Sequence, residues 1–79
     1  MEELNVLLRI LSEKFQIPQQ LLVEENYNKP LTGDLFLLNG RDLVYLFMEL
    51  EKQLKIRIDA KKITDYQFNT IHGILKLLS

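Results

Sequence analysis

Cysteine is absent from the sequence, which removes thiolate nucleophiles, thiolate metal sites and disulfides from consideration at once. His72 is the single histidine. A general base needs a nucleophile or a second titratable group within reach. No paired carboxylate or second imidazole stands at catalytic or metal-binding spacing from it. A histidine in solvent, or one satisfied by a cap, is the simpler reading. Glu24 and Glu25 are adjacent, and Glu49 and Glu51 alternate. Neighbours of that kind on a helix do not face one another, so both pairs read as solvated faces rather than acid–base pairs. The serine hydroxyls are Ser12 and the last residue, Ser79. No enzyme and no metal site is expected from this set.

The totals agree with a small globular domain. The 79 residues suffice for one domain, spanning 1–79, with one modest core. An apolar fraction of 47% and a charged fraction of 27% are ordinary for a soluble globular chain. A net charge of −1 argues against nucleic-acid binding, which depends on clustered cations to displace counterions. The first residues are acidic, and Arg9, Glu13 and Lys14 interrupt the apolar run after them. Neither a signal peptide nor a membrane span has that form, so a cytoplasmic location and no membrane contact are expected.

The elements follow from periodicity. Leu4, Leu7, Leu8, Leu11 and Phe15 line one face of a helix over residues 3–15, and Val6 and Ile10 widen the stripe. Pro18 ends that helix or opens a short turn over 19–25. From Asn26 to Asn39, turn formers mix with Leu31, Leu35, Phe36, Leu37 and Leu38. So many apolar residues predict a loop that packs down onto the core, and a long structured loop tends to be functional.

Leu43, Leu46, Phe47, Leu50 and Leu54 repeat the helical spacing and predict the clearest helix of the chain. Asn39 is its natural N-cap, and Asp42 suits the positive end of the helix dipole. Gly40 sits in the first turn, where alanine would be better by roughly 0.5–1 kcal/mol. Asn39-Gly40 between apolar runs is also a hairpin signal, but the residues after it keep helical rather than alternating spacing. The stretch around Ile56 and Ile58 has no comparable partner strand and reads as a loop with at most one helical turn. Thr64 to Gln67 has the form of a capping box with Thr64 as N-cap. Phe68, Ile71, Ile74, Leu75 and Leu78 then form the last apolar face, with Gly73 weakening the helix or admitting a close neighbour. The expected architecture is all-α: an up-and-down bundle of three long helices plus a short helical segment, with a long structured loop between the first two.

Two blocks carry a family resemblance. Leu43 to Leu54, with its valine, its leucines and its Met48-Glu49-Leu50-Glu51 ending, looks like the second helix of acyl and peptidyl carrier proteins. Lys62-Ile63-Thr64-Asp65-Tyr66-Gln67 looks like the start of that family's last helix, and Ile17-Pro18-Gln19-Gln20 fits the turn after its first. From about Glu3 to Leu78 the chain therefore resembles this family, which implies an acyl-carrier-protein-like bundle.

The same alignment of blocks puts Asn39, Gly40 and Arg41 where the family carries Asp-Ser-Leu. Gly40 occupies the place of the serine whose hydroxyl forms the phosphodiester to 4′-phosphopantetheine, so that cofactor is expected to be absent. The family's second helix is usually acidic. Here Arg41, Lys52 and Lys55 offset Asp42, Glu49 and Glu51, and Tyr45 stands where a glutamate is common. Taken together, the chain resembles the serine-less carrier-related proteins of peptide maturation systems of the bacteriocin type. That resemblance implies a non-catalytic adaptor whose partner is a peptide-modifying enzyme or its precursor peptide.

Asn39, Arg41, Tyr45 and Met48 are the candidate partner-binding residues. Tyr45, Phe47 and Met48 could form an exposed apolar patch, although Phe47 fits the core pattern and Tyr45 fits either place. Arg41 reads either as a partner contact or as a solvated cation. Two other functions stay open: a carrier that holds its cargo by an unconventional or non-covalent route, and a regulatory or oligomerising bundle.

Overall fold

Helix α1 runs from Glu2 to Glu13 and buries Val6, Leu7, Ile10 and Leu11, while Glu2 and Glu3 place negative charge at the positive end of its dipole. These coordinates come from a computed structural model, which describes residues 2–58 and 67–78. The helix stops short of Phe15 because Gln16 takes a left-handed conformation (φ 56°) and the Ile17 N–H donates back to the Leu11 carbonyl at 3.1 Å. Pro18 would in any case push Ile17 away from helical geometry. Ile17 is thereby buried, and Phe15 still packs half-buried against the core from outside the helix.

The short turn expected over 19–25 is two 3₁₀ turns, Gln19–Leu21 and Glu24–Asn26. Asn26 ties them together: its side chain is buried and donates from Nδ2 to the Leu21 carbonyl at 2.8 Å. The following loop packs down as its composition predicts, with Leu31, Phe36 and Leu38 buried and Leu35 partly so. Leu37 is the exception, and it lies 75% exposed. Gly33 allows the tight turn just before it, since a Cβ there would come within 3.2 Å of the Pro30 carbonyl oxygen.

Helix α2, Gly40–Leu54, is capped as expected by Asn39, whose side chain accepts from the Asp42 N–H at 2.8 Å. Asp42 answers by accepting from the Asn39 N–H at 3.1 Å, a full capping box that the sequence reading had credited only to the dipole. Lys55 closes the helix in a left-handed conformation. Glu51, expected on a solvated face, is instead half-buried, and its Oε2 accepts from the Ile58 N–H at 2.8 Å. That bond pins the outgoing chain against the helix end.

The last helix differs from expectation in length and start. Gln67–Asn69 forms a 3₁₀ turn, and helix α3 occupies only Ile71–Leu78, so Phe68 and Ile71 sit on separate elements. The third helix is thus not long. Thr64, expected as its cap, lies outside the described residues, as does most of the stretch preceding it. Thr70 fills the role: its Oγ1 accepts from the Gly73 N–H at 2.8 Å.

One core joins these pieces. Helix α1 packs against both α2 and α3, and Leu7, Leu11, Leu31, Leu46, Leu50, Ile71 and Ile74 have essentially no exposed surface. Asn69 fastens the loop to the start of α3, its Oδ1 accepting from both the N–H and the hydroxyl of Thr32 at 3.2 Å and its carbonyl from the Leu31 N–H at 2.7 Å. The His72 N–H donates to the Tyr27 carbonyl at 2.9 Å in the same seam. The described residues are thus all-α, with no strand among them. A radius of gyration of 11.3 Å is near the roughly 11.6 Å expected of a folded chain this long.

Candidate interaction face

Helix α2 carries two stripes. Leu46 and Leu50 are buried, and Leu43, Phe47 and Leu54 pack partly buried beside them, so this face belongs to the core. Phe47 meets the ring of Phe68 edge-on at 6.0 Å, which settles it as a packing residue. On the other side Arg41, Val44, Tyr45, Met48 and Lys52 follow at i, i+3, i+4, i+7 and i+11, the spacing of a single helix face. All five are exposed. Val44 keeps 58% of its surface in solvent, Met48 60% and Tyr45 46%.

Tyr45 is held as well as exposed. Its ring lies edge-to-face against Phe15 at 5.6 Å, so one edge is fixed while the rest remains available. The two places that the sequence allowed for this residue are therefore both partly true. Arg41 and Lys52 have no hydrogen-bond or ion-pair partner among the described residues. The carboxylates Glu49 and Glu51 border the stripe, at i+4 from Tyr45 and i+7 from Val44, and each carboxylate of the helix accepts a hydrogen bond from the chain itself. Asp42 accepts from the Asn39 N–H, Glu49 from Gln53 Nε2 at 3.1 Å, and Glu51 from the Ile58 N–H.

Of the four candidate residues, Arg41, Tyr45 and Met48 share this stripe. Asn39 stands at its start, with its side-chain oxygen committed to the cap. Val44 and Leu37 had not been singled out for binding. Val44 was legible, because it completes the i+3 step from Arg41. Leu37 was not, because only its backbone conformation turns it outward.

Gly40 is the first residue of α2 and is exposed. Its φ is not positive, and a Cβ built there would meet nothing within 4 Å. Neither backbone nor packing demands glycine at this position. Glycine leaves no side-chain oxygen at position 40.

Elsewhere, a half-open groove of about 370 Å³ runs beside α1, lined by Leu8, Arg9, Ser12, Glu13, Gln19 and Leu22. Its lining includes the Ser12 hydroxyl but no histidine. His72 is exposed. Among the described residues no group of three or more acidic or histidine side chains could hold a metal ion, and no helix is long and apolar enough to cross a membrane. No protein-family model, curated protein or solved structure matches this chain. The fold and the exposed α2 stripe define the class on their own: an all-α domain that displays one face of a core helix.

Proposed function

We propose that this chain is a non-catalytic interaction protein: a carrier-like helical bundle without a prosthetic arm, acting in the cytoplasm as an adaptor for a peptide-modifying enzyme or its precursor peptide. The observation that carries the adaptor reading is the exposed stripe of α2. Three sizeable apolar side chains and two exposed cations on one regular face are what a partner helix or peptide can recognise. The carrier-like reading rests on the two sequence blocks, Leu43 to Leu54 and Lys62 to Gln67, and is consistent with an exposed Gly40 at the first position of α2. In a carrier protein that position presents the attachment serine; here it presents backbone alone.

Intact-mass measurement tests this reading. The wild-type chain and a Gly40→Ser variant are each co-expressed with a broad-specificity phosphopantetheinyl transferase. The expected result is an unmodified wild type and a variant that gains the mass of the arm, since the added side chain has free space around it. A wild type that gains the arm would show a true carrier with another attachment atom and would overturn the proposal. If neither chain is modified, the carrier resemblance loses its support, and only the interaction face remains.

A further inference from the structure

We infer that the partner seated on α2 is an acidic amphipathic helix, and that Leu37 is one of the side chains that hold it. This inference rests on the adaptor reading and specifies the chemistry of its partner. Among the described residues three take left-handed backbone conformations: Gln16, Leu37 and Lys55. Each closes a helical turn, and Gln16 and Lys55 are polar residues facing solvent. Leu37 closes the turn that starts at Gly33, its N–H donating to the Gly33 carbonyl at 2.9 Å. Glycine or asparagine is the usual residue at such a position, and a bulky side chain there is an outlier. Leu37 therefore combines an unfavourable backbone with a large apolar surface in water, and it gives the core nothing in return.

Its location supplies the reason. Leu37 precedes Gly40 by three residues, so it lies within about 10 Å of the start of α2. A partner helix seated on the apolar row of Val44, Tyr45 and Met48 and running past the start of α2 would reach the exposed side chain of Leu37. Arg41 stands at one end of that row and Lys52 at the other, eleven residues or about 16 Å apart along the axis. An occupant matching this face is a helix of three turns or more with apolar residues at i, i+3, i+4 and i+7 and carboxylates near both ends. That polarity is the reverse of an acidic helix meeting basic partners.

The test is a display library of helical peptides. The apolar row is fixed, and the flanking positions are randomised among Glu, Gln and Lys. Selection on the intact wild-type chain is expected to enrich Glu at both flanks. The winning peptide should lose about tenfold in affinity on the Arg41→Glu/Lys52→Glu double variant, and its Lys-flanked counterpart should recover binding there. Amide shift changes in NMR should fall on residues 37–52. Leu37→Asn should weaken binding by about tenfold while leaving the melting temperature unchanged or raised, because asparagine tolerates the left-handed backbone. A purely structural leucine would give the opposite pattern.

No binders, no flank preference, a preference for Lys, shifts on another face, or unchanged affinity for Leu37→Asn would each overturn the inference. So would a protein that self-associates through residues 37–52 in place of peptide binding, or one that binds phosphatidylserine vesicles through them. The two readings fail separately: a missing flank preference, a preference for Lys or an indifferent Leu37→Asn overturns this inference alone, whereas no binders, shifts on another face or self-association through the stripe also removes the observation behind the adaptor reading.

Discussion

The inner and outer faces of α2 use similar side chains for opposite purposes. Leu46 and Leu50 are fully buried, while Val44 and Met48, within two residues of them in sequence, are more than half exposed. Burying a side chain of this size is worth roughly 1.5–3 kcal/mol, so the inner face pulls the helix into the fold and the outer face contributes almost nothing to it. Hydrophobicity therefore does not distinguish a core residue from a binding residue in this helix; angular position does. The outer face also carries the exposed cations Arg41 and Lys52, whereas the carboxylates of the helix are engaged beside it or at its ends.

Substitutions on the two faces should separate these roles. Leu46→Ala opens a cavity in the inner face and is expected to reduce stability by about 3 kcal/mol, read from the denaturant midpoint. That is a large share of the roughly 4–12 kcal/mol available to a domain of this length. Asn39→Ala removes the cap that serves both faces alike. A loss of about 1 kcal/mol is expected, with faster hydrogen exchange limited to the first turn of α2. Gly40→Ser should raise stability by up to about 0.5 kcal/mol, because serine loses less backbone entropy in a helix and meets no obstacle there. Met48→Ala, on the outer face, should stay within about 0.5 kcal/mol of wild type in thermal unfolding and still weaken peptide binding. If Met48→Ala proved as damaging to stability as Leu46→Ala, the distinction between the faces would collapse.

Much of α2 was readable before any coordinates. Its cap is spelled by Asn39, its dipole charge by Asp42 and its inner face by the spacing of Leu43, Leu46, Leu50 and Leu54, all of which depend on residues within a few positions of one another. The end of α1 was misjudged by a few residues. Phe15 fits the helical period, but a left-handed Gln16 takes it out of the helix without taking it out of the core. The cap of α3 was sought at Thr64, where a capping-box pattern exists, and it is Thr70 that caps the helix, with Gly73 at the third position offering no side chain to complete the pattern. Glu51 looked like a solvated acid because its partner, the Ile58 N–H, belongs to chain beyond the helix.

What the residues alone determined was local: the helical period and the N-cap of α2, each fixed by side chains a few positions apart. Tertiary structure decided which apolar residues were surplus to the core. The Asn69 link to Thr32 joins residues 37 apart, and no local pattern encodes it. Leu37 was counted with Leu31, Phe36 and Leu38 until the folded loop turned it alone to solvent. The reason is geometric. A helix presents more apolar surface than one small core can cover, and only the assembled neighbours determine which side is left for another molecule.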